Sequence, residues 1–204
     1  MRRFVRITLL AVFMVFSTAA LSADLEKGLD AFNQGDYATA MAECLPLAEG
    51  GNAEAMFCVG RMYANGFGVD LDDAKALHWL GLAAGNNHAE AQYTLGVMHA
   101  NGWGVAMNDV PAAGYYRLAA ENGHMQAQIA LGFSYKHGAG VPKSLETAYM
   151  WFDIAAQRGD ITAESERDDL APRLTEDEVF AAQRSALQWL EGHEASAMHA
   201  GSIE

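Results

Sequence analysis

Residues 89–132 read AEAQYTLGVMHANGWGVAMNDVPAAGYYRLAAENGHMQAQIALG, and parts of this stretch return along the chain at a fixed interval. Gly102-Trp103-Gly104-Val105 is preceded by Gly66-Phe67-Gly68-Val69 and followed by Gly138-Ala139-Gly140-Val141, each step being 36 residues without insertion. The same step links Ala55, Ala91 and Ala127; Gly60, Gly96 and Gly132; Trp79, Tyr115 and Trp151; and the pairs Ala83-Ala84, Ala119-Ala120 and Ala155-Ala156. So many matches in one register mark a repeat protein, in which each unit is too small to bury its apolar face alone and stacks on its neighbours.

Each unit reads as two antiparallel helices. The second runs from about Asp72 to Gly85, where Ala76, Trp79, Leu80, Ala83 and Ala84 fall at i, i+3, i+4, i+7 and i+8 and form one buried stripe. Its start carries Asp72, replaced by Asn108 and Ser144 in the later units, all of them side chains that accept from orphan N–H groups at an N-cap. Pro111 sits in a first turn, where a missing N–H costs little. The first helix runs from about Ala53 to Asn65 with Ala55, Val59 and Tyr63 inward. Gly66 is its expected left-handed cap, and Gly60 leaves room for the partner helix to cross closely.

With "LG", "GxGV", the aromatic position and "AA" in this spacing, the chain resembles the Sel-one-like repeat (SLR), a 36-residue relative of the tetratricopeptide repeat. The resemblance implies an all-α fold, a right-handed α-α superhelix (solenoid) of SLR/TPR-like helix pairs closed by a C-terminal capping helix. The expected organisation is a signal peptide at 1–22, an N-terminal helix pair at 24–51, and units at 52–87, 88–123 and 124–159. Capping helices at 160–192 and a mobile tail at 193–204 complete it. In the first pair Asp36 takes the N-cap position, with Ala40, Leu47 and Ala48 in register. Register ends where Arg167 and Asp168 replace "LG"; beyond it Thr175 to Glu178 forms a T-x-x-E capping box, and Gly192 is the expected helix stop.

The opening residues place Arg2, Arg3 and Arg6 before an apolar run from Ile7 to Phe16 and a small-residue stretch, the layout of a secretory leader cleaved after Ser22 or Ala23. The apolar run is shorter than the roughly 20 residues of a spanning helix, so no membrane span is expected after cleavage. The chain carries 13 Lys and Arg against 26 Asp and Glu; losing three leader arginines leaves ten bases and a net charge of −16. Such a field repels phosphate backbones and anionic lipid, which argues against nucleic-acid and membrane-surface partners. The expected location is the periplasm or exterior of a bacterium.

No Ser-x-x-Lys, Gly-x-Ser-x-Gly, phosphate-cradling loop or His-Glu-x-x-His is present, and the Gly-x-Gly-Val turns lack the strand and third glycine of a dinucleotide site. His99 stands in register with Tyr63 and Tyr135 and reads as a packing residue, His88 and His124 recur at a helix start, and His193 and His199 fall in the tail. The histidines do not follow metal-ligand spacing, so neither metal nor cofactor is expected. Exposed acid runs such as Glu164 to Asp169 suit solvated helix faces better than acid–base pairs.

The resemblance implies a monomeric adaptor or scaffold that holds a protein or peptide on the inner face of the solenoid and catalyses nothing; a cell-wall-related enzyme and a secreted effector are the alternatives. Helix positions that vary between units are the candidate binding residues: Arg61, Val97 and Phe133 in one row, Phe57, Tyr93 and Ile129 in another, four residues apart and so on one face. The second row also suits ordinary core. Cys44 matches Leu80 on the inward stripe and Cys58 lies on the next helix. In an oxidising compartment the two are expected to form a disulfide, the alternative being two separate buried thiols.

Overall fold

A computed structural model describes residues 24–200, with side chains left aside at 194 and 196–200. The expected leader, 1–22, and the last four residues lie outside that range. Every regular element among the described residues is helical. In order these are α1 (24–34), α2 (Tyr37–Glu49), α3 (Ala53–Asn65), α4 (Asp73–Gly85), α5 (Ala89–Asn101), α6 (Asp109–Glu121), α7 (Met125–His137), α8 (Leu145–Gln157), α9 (Ile161–Leu170) and α10 (Glu176–Ala200). A 3-10 turn, Ala171–Arg173, joins the last two. The chain divides into two compact units, one ending at His88 and one beginning at Ala89.

In the first unit α3 packs between α2 and α4. The helices begin and end where local chemistry says they must. Asp36 accepts from Thr39 N at 3.2 Å, Asn52 from Ala55 N at 2.9 Å and Asp72 from Lys75 N at 3.0 Å, each satisfying an orphan donor. Gly66 stops α3 at φ 66°, a left-handed turn that costs a glycine nothing. At Gly60 the helices approach so closely that a Cβ would lie 2.9 Å from Leu80 Cγ. Ala55, Val59, Ala76, Leu80 and Ala83 form a core with no exposed surface.

The second unit repeats the scheme through α5 to α8 and then closes it. Asn108, His124, Ser144 and Asp160 cap α6 to α9. Buried Gln92 and Gln128 are each met from the end of the partner helix, by Asn122 Nδ2 and by Arg158 Nη1, both at 2.9 Å. The closing helices α9 and α10 seal the last pair: Ala163, Leu170 and Ala182 join the core of Ala148, Phe152 and Ala155, and Ala186 joins that of Leu131, Trp151 and Ile154. At the start of α10 Thr175 N donates to Glu178 Oε2 at 2.8 Å while Glu178 N donates to Thr175 Oγ1 at 3.3 Å, the reciprocal capping box.

The end of α10 departs from expectation. It runs through Gly192 to Ala200, so the helix does not stop at Gly192. Gly192 is not among the glycines in the left-handed region, which a glycine stop requires. His193 supplies the anchor: its ring stacks on Trp189 at 3.6 Å and its Nε2 lies 2.6 Å from Glu121 O at the end of α6.

Candidate protein-binding site

The row Phe57, Tyr93 and Ile129 is occupied by the repeat's own packing. Phe57 is buried with His88 stacked on it at 4.6 Å, and Tyr93 carries His124 at the same distance. The two imidazoles are braced alike, His88 Nε2 lying 2.9 Å from Glu54 Oε2 and His124 Nε2 2.7 Å from Glu90 Oε2. His124 also accepts the Ala127 N–H through Nδ1 at 3.1 Å, so ring face, edge and cap are all engaged. Ile129 packs on the core around Phe152. These braces are a feature the sequence reading passed over; the signal that reveals them is a glutamate followed 34 residues later by a histidine, twice over. Burial, then the charge of Glu90, pushes the Tyr93 hydroxyl up.

The other row is more open. Arg61 is exposed, its guanidinium 4.7 Å from the Phe32 ring and 5.5 Å from Phe57, with no ion pair among the described residues. Val97 and Phe133 are half-buried. Phe133 meets Phe152 edge-on at 5.1 Å and lies parallel to His137 at 6.3 Å.

Phe133 also lines an open groove of about 300 Å³ within the second unit, together with Asp109, Tyr116, Ser134, His137 and Ala139 and three further alanines. Two register positions explain why it is open. In the first unit the places of Asp109 and Ala139, two repeats earlier, hold Tyr37 and Phe67, whose rings stack at 4.8 Å and 5° with Phe32 edge-on to both. The second unit replaces this aromatic filling with a carboxylate and a methyl group. The backbone frame is alike: a Cβ on Gly68 would lie 2.5 Å from Tyr37 Cβ, and one on Gly140 would strike Asp109 O at 1.9 Å.

Tyr116 forms a wall, its ring pressed onto α5 where a Cβ on Gly96 would be 2.5 Å away. Burial, followed by its neighbours Tyr93 and Asp109, pushes its hydroxyl up to about 12, so it remains neutral. Ser134 Oγ donates to Ala130 O at 2.9 Å within its own helix. Asp109 has no ion pair among the described residues, and Lys136, 5.9 Å from the Phe133 ring, is paired with Glu166.

Other polar groups serve the fold. Buried Asp153 pairs with Arg167 at 3.3 Å, and Asp36, Asp72 and Glu178 cap helices, their carboxyls held below the ordinary range by the hydrogen bonds they accept from Thr39, Lys75 and Thr175. His99 stacks on Tyr115 at 5.5 Å with its Nδ1 unpartnered. Among the described residues no group of three or more His, Cys, Asp or Glu converges as a metal site, and no helix is long and apolar enough to cross a membrane. Cys44 and Cys58 are both buried and free, their sulfurs 3.2 Å apart against the roughly 2.05 Å of a bond, so the expected disulfide is not formed here. The contact with Cys44, then burial, pushes the Cys58 thiol up.

Helix pairs recurring every 36 residues, each first helix crossed closely at a glycine and each second helix capped by a side chain, define a tandem helical-hairpin repeat protein. The Sel1 repeat model matches residues 53–88, 89–124 and 126–160, more than half of the chain, and the protein belongs to the Sel1 repeat family. A Sel1 repeat protein from Oxalobacter formigenes is similar at 34% identity and a TM-score of 0.61, over 64% of this chain and 98% of that one. A protective antigen of uropathogenic Escherichia coli displaying an SLR fold shares the fold at 24% identity and a TM-score of 0.58, over 87% of this chain and 48% of that longer one. No curated protein matches the chain. Sel1 repeats commonly mediate protein–protein interaction and are generally non-enzymatic scaffolds.

Proposed function

We propose that this chain is a periplasmic or secreted bacterial adaptor that holds a protein or peptide partner, and that the groove of the second unit is a contact site. The observation that carries the reading is a groove left open on a frame whose counterpart in the first unit is filled by stacked rings. Its volume of about 300 Å³ is at the lower end for ligand sites and suits a few side chains of a segment rather than a whole cofactor. Phe133 supplies an aromatic side chain of a kind enriched at protein interfaces. Arg61, in the same register on the first unit, offers an unpaired cation to a partner. Export rests on the leader-like residues 1–22. Assignment as a non-enzyme is supported by the structural use of the acids and histidines described above.

Capture from periplasmic extract, read by mass spectrometry, tests the reading when wild type is compared with Ala139→Phe, which plugs the groove with the side chain that Phe67 already carries. A protein recovered by wild type and lost from the variant, at matched helicity, supports the groove. Equal recovery by both removes it as the contact site.

A further inference from the structure

The groove itself says what chemistry its occupant carries. Its surface is mostly apolar, supplied by the Tyr116 and Phe133 rings and alanine methyls, so it favours an aliphatic or aromatic side chain. Its polar groups are unequal. Ser134 spends its hydroxyl proton on its own helix, and the Phe133 ring lies parallel to His137. Lys136, whose ammonium lies 5.9 Å from the Phe133 ring, is paired with Glu166. Asp109 is left: it is exposed, takes no cap because Asn108 holds that place, and has no ion pair among the described residues. The wider field has the same sign, with 26 acids against 13 bases in the chain. An acidic segment would meet both Asp109 and this field as like charges, whereas a basic one is steered toward the groove and gains a partner in it.

Resting on the reading of this groove as a contact site, we infer that its occupant is an extended peptide segment carrying a lysine or arginine next to an apolar residue. The cation sits on Asp109 and the apolar group lies against Tyr116 and Phe133. The register comparison supports the same division of labour. Tyr37 and Phe67 close the first unit by stacking on each other, and exchanging them for Asp109 and Ala139 removes both rings and installs one charge at the rim of the space they vacate.

Fluorescence anisotropy of the purified protein tests this with three labelled peptides, acetyl-Gly-Leu-Lys-Leu-Lys-Leu-Gly-amide and its counterparts with glutamine or glutamate in place of lysine. The lysine peptide is expected to bind about fivefold more tightly than the glutamine peptide, the scale of one partly exposed ion pair, and the glutamate peptide most weakly. Asp109→Asn should bring the lysine and glutamine peptides within about twofold of each other, while Asp73→Asn, the same register one repeat earlier, leaves the ratio unchanged. Ala139→Phe should abolish binding of all three. Equal binding of lysine and glutamine peptides, lost in Ala139→Phe, overturns the cation preference and leaves the groove reading standing. A lysine preference that survives Asp109→Asn, or falls equally in Asp73→Asn, also overturns it, as a property of net charge. Binding of no peptide, or binding indifferent to Ala139→Phe, removes the groove reading with it.

Discussion

The first and second units carry one backbone pattern and put opposite things in the same place. Tyr37 and Phe67 stack at 4.8 Å and fill theirs, while Asp109 and Ala139 leave about 300 Å³ open. The glycines beneath them, Gly68 and Gly140, allow the loop to lie on the start of the helix in both cases. The repeat frame is therefore indifferent to whether the space is filled. Glycines and caps set where the helices go, and two side-chain positions outside the repeated signature decide whether a unit is closed or open.

The first unit has a second device for closure. Cys44 takes the register position of Tyr116, and its sulfur lies 3.2 Å from that of Cys58 with no exposed surface. Oxidation would close a loop of about 15 residues and stabilise that unit by on the order of 3 kcal/mol, the largest change expected here. Melting with and without reductant should show the first unit alone shifting upward. Thiol counting on protein taken from an oxidising compartment and unfolded without reductant should find none; two free thiols per chain would show that the pair packs as thiols, leaving the aromatic stack as the closing device.

The crossing glycines give a smaller test of the same contrast. A Cβ at Gly132 would meet the Phe152 ring at 2.7 Å, and Phe152 has no exposed surface into which to retreat. Gly132→Ala should therefore cost about 2–3 kcal/mol by overpacking. At Gly96 the nominal clash with Tyr116 is tighter, 2.5 Å, yet that ring borders the open groove and is half-buried. Gly96→Ala should cost only about 1 kcal/mol, because the tyrosine swings into the groove. Urea denaturation of the two variants decides it, and an equal or larger loss at Gly96 would mean that the groove is not free space.

How much of this the sequence shows depends on the range of the interaction concerned. Helix limits were legible almost to the residue, since Asp72, Ser144 and Gly66 act on the backbone beside them. The His–Glu braces were not, because His88 and Glu54 meet only once two repeats are stacked, and each looks like an ordinary surface residue by itself. Variation between units alone does not separate packing from recognition: Phe57 and Tyr93 differ from unit to unit, yet each carries a stacked histidine. The groove escaped because it is made by what is missing, a ring at 139, and Ala139 carries no signal of its own. Gly192 misled because a glycine stops a helix only in the left-handed region, and there His193 carries the chain on instead.

Arg61 gives the smallest and most discriminating test. Its guanidinium lies 4.7 Å from Phe32 and 5.5 Å from Phe57, and no carboxylate among the described residues shares it. A cation–π contact at an exposed site contributes about 0.5–1 kcal/mol, and the farther ring, Phe57 at 5.5 Å, lies near the roughly 6 Å limit and adds little to it. Arg61→Ala should therefore lower stability by no more than about 1 kcal/mol, and Arg61→Gln, which keeps the stem and removes the charge, by somewhat less. Because the attraction is to rings and not to an acid, raising the salt concentration should leave the difference between wild type and Arg61→Gln nearly unchanged, unlike that of a surface ion pair. A loss above about 2 kcal/mol, measured by urea denaturation, would make Arg61 a structural member of the aromatic cluster. Its row would then be packing in the first unit and recognition in the second, and register alone would no longer predict which residues of this repeat meet a partner.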